Sequence, residues 1–96
     1  MSKPLTKADI IESVHDQLGL SKKECAELVE ILLDKMKTTL ASGEDLLISG
    51  FGKFNVKNKK ARRGRNPATG EGLMLEPRRV VRFRCSGRLR DMVNGG

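Results

Sequence analysis

Apolar positions recur at helical spacing in the first part of the chain and at strand spacing in the rest. Ile10, Ile11, Val14 and Leu18 fall three or four residues apart, which places them on one helical face. Thr6-Lys7-Ala8-Asp9 resembles a capping box with Asp in place of the usual Glu or Gln, and Gly19 is a natural stop. The pattern predicts a helix over about 7–18. Ser21-Lys22-Lys23-Glu24 is a full capping box. After it, Cys25, Leu28, Val29, Leu32, Leu33, Met36 and Leu40 form one apolar stripe, while Glu24, Glu27, Glu30, Asp34, Lys35 and Lys37 occupy the other face. With Gly43 past the end, this predicts a second helix over about 22–42. The short link between the two makes an αα-hairpin.

The period then changes. Leu46-Leu47-Ile48 is a short buried-strand signal, and Ser49-Gly50-Phe51-Gly52 reads as a turn. Phe54 and Val56 alternate with Lys53, Asn55 and Lys57, which predicts a strand with one basic face. Alternation resumes at Leu73 and Leu75, and Val80, Val81 and Phe83 mark another strand. Ser86 is placed to cap a short last helix carrying Leu89, Met92 and Val93, ending at Asn94-Gly95-Gly96. The apolar side chains of Phe51, Phe54 and Phe83 are expected in a core. The expected class is α+β: an N-terminal αα-hairpin, a three-stranded antiparallel sheet with a long protruding β-hairpin arm, and a short C-terminal helix. One domain spans 1–96, with a helical base over about 1–45, sheet and arm over about 46–84, and the last helix over about 85–94.

The arm is inferred from what residues 57–72 lack. Their only apolar side chains are Ala61, Pro67 and Ala68, so nothing holds the segment on a core. Asn66-Pro67-Ala68-Thr69-Gly70 is a turn signal at its centre, with strand residues on both sides. A disordered basic loop is the alternative, and the two differ little in a free chain, because a two-stranded hairpin is marginal in water.

Charge sharpens this picture. The 96 residues carry a net +7. Residues 1–45 hold six Lys, no Arg and nine acids, a net of −3. Residues 46–96 hold four Lys, nine Arg and three acids, a net of +10. Such asymmetry points to a polyanion-binding surface, and Arg suits phosphate and groove recognition better than Lys. A basic surface without a ligand is the alternative. Lys57, Lys59, Lys60, Arg62, Arg63 and Arg65 all lie within nine positions before Asn66 and Pro67.

Other chemistry finds little support. His15 is the single His and there is no Trp or Tyr. Ser49, Ser86 and Cys25 have no evident His and acid partners. Gly50-x-Gly52 is followed by Asn55 where a dinucleotide fingerprint needs Gly, and Gly64 to Gly70 lacks the spacing and the ending of a phosphate loop. No enzyme activity, cofactor or metal is expected. Cys25 and Cys85 lie sixty residues apart, which argues against a disulfide framework or a zinc site and fits a reducing cytosol. No apolar run reaches the ~18 residues of a membrane helix, and Met1-Ser2-Lys3-Pro4 has no signal-peptide pattern.

Binding is the better reading. The arm's bases are suited to neutralising phosphates and releasing counterions. Arg on a thin ribbon suits a minor groove, where negative potential concentrates. Pro67 at an exposed tip is an apolar wedge of the kind that enters a base step and kinks a duplex, although it also suits simply setting the turn. Only three aromatics are present for stacking, which disfavours single strands. A basic RNA-binding or ribosome-associated module is the alternative function.

Three segments carry a resemblance: Gly50-Phe51-Gly52-Lys53-Phe54, Arg62-Arg63-Gly64-Arg65-Asn66-Pro67-Ala68-Thr69-Gly70-Glu71, and Arg78-Arg79-Val80-Val81-x-Phe83-Arg84. They resemble the bacterial HU/integration host factor family, most of all its alpha branch, through Arg78-Arg79-Val80-Val81. The likeness starts at Leu5-Thr6-Lys7-Ala8 and spans nearly the whole chain. It implies an intertwined dimer, either a homodimer or a heterodimer with a paralogous beta-like subunit, whose two arms embrace double-stranded DNA from the minor-groove side. The same resemblance implies a bacterial, cytoplasmic, nucleoid-associated protein with no membrane partner, supporting nucleoid organisation, recombination, replication or transcription regulation. Carried across by residue, Pro67 matches the intercalating tip, and Arg62, Arg65 and Asn66 match arm residues in the groove. Arg78 and Arg79 match the returning strand near the arm's base and count with Lys57, Lys59, Lys60 and Arg63 among the expected DNA-binding residues of the arm. Thr6, Lys7, Ser49, Gly50, Lys53 and Arg88 match body positions near flanking phosphates. Two departures stand out: Cys85-Ser86-Gly87 replaces the usual start of the last helix, and Ala68 stands where a longer polar residue is frequent.

Without the sixteen-residue arm, 80 residues remain for the body. A core of that size contributes only about 3–5 kcal/mol by itself, and dimerisation is a usual remedy. Phe51, Phe54 and Phe83 are the expected dimer core.

Overall fold

The structure is a computed structural model that describes residues 3–95; Met1, Ser2 and Gly96 lie outside the described residues. The elements run α1 (Lys7–Leu18), α2 (Lys22–Ala41), β1 (Leu46–Ile48), β2 (Gly52–Lys59), β3 (Arg62–Arg65), β4 (Gly72–Leu75), β5 (Arg78–Cys85) and α3 (Gly87–Val93). Contacts divide the chain into two compact units, Met1–Thr38 and Thr39–Gly96.

In the first unit the local signals act as the sequence predicts. The Thr6 hydroxyl accepts from the Asp9 N–H and the Asp9 carboxylate accepts from the Thr6 N–H, so Asp completes the box. Those Thr6 groups hold the Asp9 carboxyl below its usual pKa, the backbone N–H first and the side chain second. Ser21 and Glu24 form the second reciprocal box. Gly19 takes the left-handed conformation (φ 68°) that ends α1. His15 closes the link, its Nδ1 lying 2.6 Å from the Leu20 carbonyl oxygen, which also receives the Cys25 thiol at 3.9 Å. Cys25 and Val29 are the buried apolar residues.

In the second unit, α2 ends on Gly43 (φ 93°), whose N–H donates to the Leu40 carbonyl while that of Glu44 reaches Thr39. Strands β1, β2 and β5 form an antiparallel sheet in that order, and β3 and β4 form a separate two-stranded sheet. The turn at Ser49-Gly50-Phe51 joins β1 to β2, with Gly50 at φ 79°. One expectation needs correction. Leu46-Leu47-Ile48 is not a buried strand: Leu47 is 69% exposed, because a three-residue edge strand turns its middle side chain away. The last helix begins at Gly87, where Ser86 is expected to cap it: Cys85 still pairs with Gly52 in the sheet, and the Ser86 hydroxyl accepts from the Leu89 N–H.

Register divides the β2–β5 pair into two faces. Directly opposed residues share a face and successive ones alternate. Phe54 opposes Phe83, Val56 opposes Val81 and Gly52 opposes Cys85, which makes one face apolar. Lys53 opposes Arg84, Asn55 opposes Arg82, Lys57 opposes Val80 and Lys59 opposes Arg78, which makes the other face basic. The Phe83 ring packs between Phe54 and Phe51, with centroids 4.8 and 5.3 Å away. Yet Phe51, Val81 and Phe83 stay 44%, 50% and 45% exposed in the single chain.

Candidate nucleic-acid interface

Lys53, Lys57, Lys59, Arg78, Arg82 and Arg84 project from one side of the β2–β5 ladder. Arg62, Arg82 and Arg78 crowd the Lys59 ammonium and push its pKa down, Arg62 being the largest influence. Like charges gathered in this way favour a polyanion that relieves their repulsion. Lys59, Lys60, Arg62 and Arg78 also line an open recess with Leu75 and Glu76 at the root of the arm.

The β3–β4 ribbon is two-faced as well. Arg62 opposes Leu75 and Gly64 opposes Leu73, so Leu75 folds over Gly64, where a Cβ would lie 3.1 Å from its Cδ1. Arg63 opposes Met74 and Arg65 opposes Gly72 on the other side. The register therefore puts Arg62 and Arg65 on opposite faces of the ribbon. No arginine of the arm is in an ion pair among the described residues.

Asn66 builds the tip. Its N–H donates to the Glu71 carbonyl, its carbonyl accepts from the Gly70 N–H, and its side-chain oxygen accepts from the Ala68 N–H at 2.9 Å. Thr69 Oγ1 accepts from the Glu71 N–H, and Gly70 takes φ 75°. Pro67 sits exposed on this bracketed turn.

The body positions are occupied unevenly. Lys7 pairs with Glu30, and Lys53 lies 3.9 Å from the Asp45 carboxylate. Thr6 caps α1, Ser49 and Gly50 lie in the β1–β2 turn, and Arg88 is exposed in the first turn of α3. Arg79 stands apart from Arg78: it is on the apolar face, donating from Nε to Asn58 and from Nη1 to the Ala41 carbonyl. The sequence reading missed Arg82 and Arg84. Their signal was present as parity, since both lie an even number of residues from Arg78 in one strand.

Residues 5–94 match the family model described as bacterial DNA-binding protein. The chain belongs to this family. It is 55% identical over 92 residues to integration host factor subunit alpha of Anaeromyxobacter dehalogenans, covering 96% of this chain and 81% of that one. The alpha subunit of Bdellovibrio bacteriovorus is 53% identical over 91 residues, covering 95% of this chain and 83% of that one. Among solved structures, the chain is similar to HU in an Anabaena HU–DNA cocrystal structure, with a TM-score of 0.79, 27% identity and coverage of 95% and 99%. A mutant HU from Thermotoga maritima matches with a TM-score of 0.66, 26% identity and coverage of 92% and 97%.

Proposed function

We propose that the protein is an architectural DNA-binding and DNA-bending protein of the bacterial nucleoid, acting as a dimer. The observation that carries this reading is the sidedness of the β2–β5 ladder. One face is cationic, with Lys53–Asp45 its one ion pair among the described residues, and the other is apolar and half-exposed in the single chain. The apolar face calls for a second subunit, either another copy or a paralogous beta-like chain. The cationic face calls for a polyanion.

On this reading Phe51, Phe54 and Phe83 join the shared core. Lys57, Lys59, Lys60, Arg62, Arg63, Arg65 and Arg78, with Arg82 and Arg84 added, neutralise phosphates or enter the minor groove. Lys7, Lys53, Arg88, Thr6, Ser49 and Gly50 serve the flanking backbone, Lys7 and Lys53 exchanging a carboxylate for a phosphate. Pro67 from each arm opens a base step, and the bend lets flanking DNA reach the body. Sequence preference then comes mostly from deformability and groove width, since minor-groove edges carry a degenerate code. Residues 1–96 act as one domain in this scheme. No catalytic step is assigned; the engagement of His15 with the Leu20 carbonyl supports a structural role for it.

The test is a titration of a short duplex labelled at both ends, read by fluorescence transfer, with sedimentation of the free protein alongside. A dimer of about twice 10.6 kDa and a rise in transfer on binding are expected. A stable folded monomer, or equal affinity for duplex RNA, would count against the reading, because the shallow A-form minor groove fits a wedge poorly.

A further inference from the structure

Arg79 is set apart from the other bases of its strand. Arg78, Arg82 and Arg84 share the cationic face, while Arg79 shares the opposite face with Val81 and Phe83. There its guanidinium donates from Nε to the Asn58 side-chain oxygen at 3.0 Å and from Nη1 to the Ala41 carbonyl at 2.7 Å. Ala41 is the last residue of α2, where the helix dipole favours a cation. A planar fork donates in these two directions at once, and an ammonium does so less well. Gly43, at φ 93°, lies beside the guanidinium: a Cβ there would sit 3.5 Å from Arg79 Cζ, in ordinary van der Waals contact. The Asn58–Arg79 pair is the rung next to Lys59–Arg78, where the three-stranded sheet ends.

We infer that Arg79 is a positioning residue for DNA bending and not a phosphate ligand. It clamps the root of the arm to the last turn of α2 and so sets the direction in which Pro67 meets the duplex. The inference rests on the DNA-bending reading above. Nine residues separate Asn58 from Pro67, a reach of at most about 30 Å in extended chain. A swing of about 10° at the root therefore moves the tip by about 5 Å at that reach, more than a base step is tall. Loss of the clamp costs bending before it costs charge.

Three variants test this, each read for bend angle by end-to-end fluorescence transfer and for the salt slope of affinity. Arg79→Ala removes the clamp, Arg79→Lys keeps the charge without the fork, and Asn58→Ala removes one acceptor with no change of charge. All three are expected to bend less than the wild type, Asn58→Ala least affected, with salt slopes unchanged and no rescue by Arg79→Lys. A phosphate ligand behaves otherwise: Arg79→Ala would lower the slope by about 0.9, and Arg79→Lys would restore slope and bend. That result overturns the inference, as does a wild-type bend angle in all three. A purely structural role would lower the melting temperature and leave the bend of the folded complex intact, which also overturns it. If Arg79→Ala does not fold, Asn58→Ala decides. A wild type that binds without bending defeats the broader reading before any variant is made.

Discussion

The ring of Phe83 fills the space that a side chain at Gly52 would need. A Cβ built there would lie 2.5 Å from two atoms of that ring and 2.7 Å from the Arg84 carbonyl oxygen. Gly52 is buried and faces Cys85 across the ladder, two positions from Phe83 on the same face. The close approach lets Phe83 pack against both Phe51 and Phe54. Gly52→Ala must push the ring or the backbone aside, a cost of about 1–3 kcal/mol for overpacking. Urea denaturation at fixed protein concentration checks this; an unchanged midpoint would show that the ring moves freely.

Pro67→Ala should separate bending from affinity. The turn is held by Asn66, Thr69 and Gly70 without help from the proline ring, so its shape survives the substitution. What is lost is the wedge. A wedge of this kind gives a kink of roughly 20–90° per step, so end-to-end transfer on a short duplex should fall clearly. The salt slope should stay as it is, because no charge changes. An unaltered bend angle would leave Pro67 as a turn residue only.

Arg82→Ala and Arg65→Ala probe two separate cationic surfaces, the sheet face and one side of the ribbon. Each should reduce the slope of log affinity against log salt by about 0.9 if it neutralises one phosphate. Arg62→Ala, on the other side of the ribbon, provides the comparison. A full slope with lost preference for deformable sites would instead mean that the residue reads groove width.

Asp9 makes the stability of α1 depend on acid. Its folded-state pKa is lowered from 3.8 by the Thr6 N–H and then the Thr6 side chain. A carboxylate with a depressed pKa stabilises the fold above its unfolded value and loses that contribution as pH falls through the folded one. The capping box should therefore weaken below about pH 4. Urea midpoints of the wild type and Asp9→Asn should converge as pH falls through that range, and a constant gap would refute the assignment.

Helices α1 and α2 were legible because their determinants are local. Thr6, Asp9, Ser21, Glu24 and Gly19 act within a turn of where they stand, so spacing alone finds them. The arm was legible for a different reason, since residues 57–72 carry no large apolar side chain to hold them down. Ser86 also acted locally, replacing the usual start of the last helix with an ordinary hydroxyl cap.

The arginine pair marks where that legibility ends. Arg78 and Arg79 read alike in the chain, neighbouring cations on one strand, and the resemblance places both in the DNA-binding arm. The amino-acid sequence determined the helices, the caps, the concentration of positive charge after residue 45 and the exposed proline in a turn. Only the tertiary structure decided the placement of each charge, because a strand sends neighbours to opposite faces and pairing with β2 settles which face is which. Arg78 joined Lys59, Arg82 and Arg84 on the cationic side, and Arg79 turned to Ala41 and Asn58. Parity along one strand names two sets of side chains, and the partner strand with the end of α2 leaves one set on an open cationic face and gives Arg79 two hydrogen-bond acceptors.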